Sequence, residues 1–350
     1  MACAPIVPAT PVSPGQLVGI ARMAAESPLV RERAEVEYFA LPCRSALNRE
    51  SSGRMPFAWT LNPYRGCEFG CKYCYARYTH EFMEMWDGMD FERKIYAKEE
   101  APERLRAELR QAKDKGLPIA LGTATDPYQP AEKQFEVTRK MLEVFLDFEG
   151  LDFAITTKSA LILRDLDLLV RVSSRHRFSV HMTVTTTDER LARLLEPKAP
   201  PPAKRLEAVK QLCEAGIRVG VNAMPILPGL NDSQKSLDDL AQSARRAGAK
   251  FLYGNILFLT SSAMRQFMPF LEREFPRLAR RYRKLYAHSA YLNGEYKEKM
   301  TKLLTDLRTR YGLDGNRGET PPAARHPQLS LPFGTLTESA ISSRHLTACS

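Results

Sequence analysis

The sequence predicts an α/β fold built on a mostly parallel sheet, and three observations carry that expectation. Short apolar or β-branched runs recur along the chain, helix-period segments separate most of them, and several of those segments stop at glycine. The runs fall at 59–64, 118–123, 153–157, 178–186, 218–226 and 251–259. The helix-period segments fall at 101–113, 131–148, 161–172, 203–215 and 236–247, and the shorter 188–195 fills the remaining interval. Gly216 and Gly248 follow two of them, where a left-handed residue closes a helix. Strands alternating with helices imply parallel pairing. Six such units are too few for a closed eight-stranded barrel, so the pattern leaves a partial barrel and an open sheet as alternatives.

The 350 residues give room for one large α/β domain with extensions, or for two ordinary domains. With 44% hydrophobic and 26% charged residues, global disorder is excluded. Residues 1–55 read as an irregular extension rich in Pro, Ser and Ala, with one helix near 17–25. The core spans 56–262 and a basic helical region spans 263–311. Within that region Arg273, Arg277, Arg280, Arg281, Arg283 and Lys284 face a lone Glu274, while Leu278, Tyr282 and Leu285 recur at helical spacing and are expected to pack inward. Residues 312–350 are dominated by Pro, Gly and polar residues and are expected to form a disordered or loosely attached tail.

No apolar run approaches the roughly 18 residues of a membrane span. The N-terminus lacks a positively charged start and prolines interrupt its apolar residues, so a signal peptide is not expected and a cytoplasmic location is. That location bears on the cysteines at 3, 43, 67, 71, 74, 213 and 349. In a reducing compartment a tight cluster such as Cys67, Cys71 and Cys74 signals metal or redox chemistry rather than disulfides. Cys213 reads as a small core residue on a helix, and Cys3 and Cys349 lie in the terminal segments. Cys43 either faces the site or is simply buried. The net charge of +10 would fall by about three on ligation by three thiolates. The remaining basic surface suits a polyanionic partner.

The informative stretch is Pro63-Tyr-Arg-Gly-Cys67-Glu-Phe-Gly-Cys71-Lys-Tyr-Cys74-Tyr-Ala-Arg. Thiolates are the usual ligands of iron–sulfur clusters, and short spacings let one loop wrap a cube corner by corner. Gly66 and Gly70 permit the tight backbone such a loop needs. Three cysteines leave one iron of a [4Fe–4S] cube without a protein ligand, open to a cofactor. The competing metal is zinc, with His80 as fourth ligand. Structural zinc sites more often pair two separated knuckles, whereas all three cysteines here sit in one loop after a strand.

With Tyr73 before its last cysteine, the C-x₃-C-x₂-C spacing resembles the radical SAM signature. The resemblance extends over about residues 44–259. Within that superfamily the text resembles relatives of spore photoproduct lyase, on the landmarks NPYRGCEFGCKYCYAR, TDPYQPAE, ITTKS, LEPKAPPPAKRLEAV and MPILPGLND. Membership implies a partial (β/α)₆ barrel of TIM type with a [4Fe–4S] cluster and S-adenosyl-L-methionine at the C-terminal ends of the strands. It also implies an external electron donor of flavodoxin or ferredoxin type.

The resemblance makes Cys67, Cys71 and Cys74 the metal ligands and Tyr73 a cofactor-side residue. Thr125 and Asp126 become candidates to receive the cofactor's ammonium, the alternative for Asp126 being an Asx turn before Pro127. Lys158 becomes a partner for the cofactor's carboxylate, the alternative being a solvated cation. Thr183 and Thr185 become hydrogen-bond partners of its methionine or ribose, and Tyr75 lies by the radical path. One departure matters. The lyase carries a cysteine hydrogen donor where this chain reads Gly122-Thr123-Ala124, and a hydroxyl O–H bond is too strong to replace a thiol. The photoproduct-repair reaction is therefore not carried over. The expectation is a radical SAM enzyme acting on an unknown substrate, with nucleic acid as a candidate. The alternatives are a protein- or small-molecule-modifying radical enzyme and a non-catalytic iron–sulfur or zinc protein.

Overall fold

At its N-terminal side the chain runs from α1 (Gly19–Ala25) into a hairpin of β1 (Leu29–Arg33) and β2 (Val36–Ala40). The computed structural model describes residues 17–50, 53, 55–111 and 116–315. β3 (Leu47–Arg49) pairs antiparallel with β4 (Trp59–Leu61), and β5 (Tyr64–Arg65) follows almost at once. The cysteine loop then closes in a 3-10 turn at Tyr75–Arg77, followed by α2 (Tyr78–Glu81), α3 (Asp90–Arg93) and β6 (Lys94–Ala97). β1, β2, β6 and β5 make a four-stranded sheet in that order. The extension read as irregular thus contributes one helix, as expected, and also three short strands. β1 escapes pattern reading because all five of its residues are exposed, so no alternation marks it.

The next elements are α4 (Ala101–Gln111), β7 (Ile119–Leu121), α5 (Glu132–Phe135), α6 (Val137–Phe145) and β8 (Asp152–Thr157). After a 3-10 turn at Ala160–Asp165 come α7 (Leu166–Arg175), β9 (Arg177–Thr183), α8 (Glu189–Leu195), α9 (Pro202–Glu214), β10 (Val219–Ile226), α10 (Gln234–Arg246) and β11 (Phe251–Ile256). The second sheet has the order β11-β10-β9-β8-β7-β4-β3, and β4, β7, β8, β9, β10 and β11 are parallel neighbours taken in chain order. Each of the six runs read from the sequence supplies one of them. This is the partial (β/α)₆ barrel.

Register explains the two faces. Leu61, Leu121, Ile155, Val180 and Val219 lie side by side across five strands, all fully buried. They share one core with Leu105, Met141, Phe145, Leu169, Leu212 and Leu240 of the surrounding helices. Alternation sends Ala154, Ser179, His181, Gly220 and Asn222 to the other face, where β11 adds the Phe251 and Tyr253 rings against His181. Gly220 is required there, since a Cβ would lie 2.0 Å from the Phe251 ring.

Two helical segments are divided. Glu136 at φ 52° separates α5 from α6, and the start of 161–172 is a 3-10 turn. The basic region forms α11 (Ser261–Glu274), α12 (Pro276–Leu285) and α13 (Glu295–Tyr311), with Pro276 opening α12. Gly312 closes α13 in the left-handed region, and Leu313 is buried against β11, where Leu252 N donates to its carbonyl. The expected tail beyond residue 315 lies outside the described residues, as do Cys3 and Cys349. Among the described residues no helix is long and apolar enough to cross a membrane.

Candidate functional site

The loop that carries the three cysteines leaves β5 at the C-terminal end of the first barrel strand and is pinned from several sides. Cys67 N donates to Phe91 O (2.9 Å), Lys72 N to Leu195 O (2.9 Å) and Lys198 N to Phe69 O (3.2 Å). From the β7 loop, Thr125 Oγ1 donates to Gly66 O (2.6 Å) and Gln129 Nε2 to the same carbonyl (3.1 Å). The small sheet adds Tyr38 Oη donating to Glu68 Oε2 (3.0 Å). Arg77 Nη2 donates to Cys71 O (3.0 Å) and forms a buried ion pair with Glu92. Gly66 sits at φ 83° with Lys94 O only 2.7 Å from where a Cβ would be. No other residue fits that turn.

Cys71 is buried, and Cys67 and Cys74 are half-buried in the same apolar cluster. Burial pushes the Cys67 thiol well up and the Cys71 thiol up to about 12. Cys67 and Cys71, so placed, ionise only with a cation to receive them. Among the described residues no group of three or more His, Cys, Asp and Glu side chains stands in metal-ligand geometry. The donor set is nevertheless three soft sulfurs on one glycine-turned loop, which suits an iron–sulfur cluster. His80 is otherwise engaged. Its Nε2 meets Lys94 O at 3.0 Å, its ring packs edge-on against Phe91 and Tyr96, and burial lowers its pKa to about 4.

Beside the loop lies a buried charge network that the sequence reading missed. Tyr73 Oη donates to Glu196, and Thr185 Oγ1 donates to Glu196 Oε1 at 2.7 Å. Arg205 Nη2 pairs with Glu196 Oε2 at 2.6 Å, and Arg205 also donates to the carbonyls of Pro200 (2.7 Å) and Thr183 (3.2 Å). Burial opposes the Glu196 charge, but Arg205, Lys158 and the two hydroxyls hold its carboxyl below the usual range. The Lys158 ammonium lies 6.0 Å from the Tyr73 ring centroid and has no ion-pair partner of its own among the described residues. Burial would lower its pKa, yet the Cys71 and Glu196 side chains outweigh that and raise it. With Glu196 already matched to Arg205, Lys158 is a surplus cation.

The other expected residues divide. Thr183 ends β9 and Thr185 lies in the loop just beyond it, both buried. Asp126 accepts from Tyr128 N (2.9 Å), Thr157 Oγ1 (2.6 Å) and Lys158 N (2.7 Å). Its carboxylate is thus an Asx turn and a tether from the β7 loop to β8, and the Thr125 hydroxyl is likewise engaged with Gly66 and Gln129. Both side chains expected to receive the cofactor's ammonium thus hold the β7 loop in place. Tyr75 Oη donates to Thr123 O while its ring remains 39% exposed. Cys43 is buried with its thiol on Ser45 O (3.4 Å), and Cys213 packs half-buried against Gly248.

α12 presents a second surface. Arg277, Arg280, Arg281 and Lys284 are exposed and fall within about one-third of the helix circumference, opposite Ala279 and Tyr282. Arg283 is paired with Glu272, whereas these four have no ion-pair partner among the described residues.

Comparison with known proteins gives a consistent outcome. The family model described as "Radical SAM superfamily" matches residues 61–244. The uncharacterized protein Rv2578c of Mycobacterium tuberculosis is 34% identical over 314 residues, covering 89% of this chain and 92% of its own. The uncharacterized protein MJ0683 of Methanocaldococcus jannaschii is 32% identical over 220 residues, covering 62% and 76%. Among solved structures, a doubly substituted spore photoproduct lyase with bound AdoMet and dinucleoside spore photoproduct superposes with a TM-score of 0.57 at 16% identity, covering 77% of this chain and 78% of that one. At that identity the likeness concerns the fold.

Proposed function

The chain belongs to the radical SAM superfamily, and from that premise we propose that it is an enzyme holding a [4Fe–4S] cluster on Cys67, Cys71 and Cys74. When bound, cluster and S-adenosylmethionine supply a reductive cleavage that yields methionine and a hydrogen-abstracting 5′-deoxyadenosyl radical. The protein's own part is binding, orientation and exclusion of water. Lys158 receives the cofactor's carboxylate, and Tyr73, held by Glu196, forms the floor beneath that ammonium. Thr183 and Thr185 join the same network, the Thr183 carbonyl accepting from Arg205 and the Thr185 hydroxyl donating to Glu196; Thr125 and Asp126 fix the β7 loop against the cysteine loop and β8. Tyr75 ties the cysteine loop to Thr123 beyond β7 and keeps its ring exposed. The observation that carries this reading is the surplus Lys158 cation beside the buried Cys71.

An external one-electron donor of flavodoxin or ferredoxin type and a cytoplasmic, reducing location belong to the same proposal, since a thiolate-held cluster needs both. The substrate class that the surface favours is nucleic acid, because the unpaired cationic face of α12 matches a phosphate backbone. Anaerobic reconstitution with iron and sulfide, then dithionite and S-adenosylmethionine, tests the chemistry. 5′-Deoxyadenosine is expected from the native chain and none from the Cys67→Ala/Cys71→Ala/Cys74→Ala variant. A colourless, zinc-loaded protein that makes none would overturn it.

A further inference from the structure

Five aromatic rings run in contact beyond the C-terminal ends of the first and last barrel strands, assembled from three separate parts of the chain. Phe82 packs edge-on against Tyr78 with centroids 5.5 Å apart, and Tyr78 stacks on Tyr75 at 6.5 Å. Tyr75 meets Phe258 at 6.2 Å, and Phe258 stacks on Tyr291 at 4.3 Å. Such a run usually lies in a core, yet here Phe82 is 61%, Tyr291 48% and Tyr75 39% exposed. Large exposed apolar surface that is contiguous marks a binding site more often than chance solvent contact. The strip also has a definite place. Tyr75 directly follows Cys74 and donates to Thr123 O beyond β7, while Phe258 lies just beyond β11. It therefore leads outward from the cysteine loop across the C-terminal ends of the strands.

We infer that this strip is a stacking platform for unpaired bases of a nucleic-acid strand, an inference that rests on the nucleic-acid reading above. Ring faces in series match a ligand with planar faces in series, and stacking on aromatic side chains needs no particular base. The second half of the match is charge. Both the 3-10 turn that carries Tyr75 and the cationic helix α12 pack against α11, so one helix carries the supports of both rings and cations. A strand offers both complements at once, bases to the rings and phosphates to Arg277, Arg280, Arg281 and Lys284. A duplex offers only the phosphates, because its base faces are stacked on one another. A platform of this kind thus selects single strands, loops or everted bases and sets them on the path to Tyr75.

The test is fluorescence anisotropy of the full-length chain, at low salt, with a labelled oligothymidylate and with a labelled duplex of equal length. The single strand is expected to bind about tenfold or more tightly than the duplex. Phe82→Leu and Tyr291→Leu should each weaken single-strand binding by about fivefold or more and leave the duplex unchanged. Leucine keeps apolar contact with the neighbouring ring, and an unchanged unfolding midpoint verifies the fold; Arg280→Ala should weaken both ligands. Equal binding of the two nucleic acids, sensitive to Arg280→Ala but not to the rings, would overturn the platform and leave nucleic acid as substrate class. No retention of either would overturn both.

Discussion

The Lys158 ammonium stands 6.0 Å from the centre of the Tyr73 ring, and the hydroxyl of that ring is hydrogen-bonded to Glu196. Two residues more than eighty positions apart are thereby joined through a third that is tied to Arg205. The arrangement orients Tyr73 from behind and leaves the lysine as the only unmatched charge of the group.

Lys158→Met should therefore weaken S-adenosylmethionine binding by tenfold to a hundredfold, the loss of about 1.5–3 kcal/mol that accompanies a charged hydrogen bond. Equilibrium binding to reconstituted protein measures it, with iron and sulfide content unchanged. Unaltered affinity at full cluster content would place the carboxylate elsewhere.

Breaking the pair behind Tyr73 has a different signature. Arg205→Met leaves the Glu196 carboxylate buried without its counter-ion and should cost about 3–5 kcal/mol. Arg205→Met combined with Glu196→Gln should recover a large part of that, since no uncompensated charge remains. Urea unfolding of both variants decides. If the double variant is no more stable than the single, the pair is not coupled in this way.

Acid should destabilise the fold through three imidazoles, His176 among them and two others most strongly shifted. Burial lowers His80 and His181 to about 4, against about 6.5 in the unfolded chain. The unfolded state therefore binds protons first as pH falls. The stability is fully present above pH 6.5 and is lost as pH falls toward 4, at up to about 1.4 kcal/mol per pH unit for each ring. Urea midpoints at pH 7 and pH 5 should differ accordingly, and His80→Gln should flatten the slope by about one ring's share. A slope unchanged in that variant would show that His80 titrates normally.

The barrel was legible in the sequence for a simple reason. Its strands are buried by helices on one side, so Leu61, Leu121, Ile155 and Val180 each stand within a short apolar run. The small sheet was not legible because β1 is exposed throughout and β5 has two residues, so their pairing depends on a chain fold that no local pattern encodes. In the site, spacing marked the cysteines. Glu196 and Arg205 went unassigned because a proline-rich segment separates them and only the turn of 197–201 brings them together. A glutamate and an arginine flanking such a segment, the arginine then falling on the buried face of a helix, was the available signal. Asp126 was noticed for its position, but its three partners could be counted only once β7 and β8 were neighbours.

Gly66 is the narrowest point of the cysteine loop. At φ 83° an L-residue is strained, and an added Cβ would meet two backbone oxygens, Lys94 O at 2.7 Å and Phe91 O at 3.0 Å. Neither can swing aside as a side chain would, and Phe91 O already accepts from Cys67 N. Gly66→Ala must therefore move the first cysteine, with a stability cost on the order of 2 kcal/mol. Gly116→Ala, with open space around it and no left-handed backbone, should behave as the native chain. Iron and sulfide bound per chain after reconstitution separates the two. Low loading in the Gly66 variant alone is the expected result, whereas full loading with unchanged stability would mean that the loop yields where its backbone contacts say it cannot.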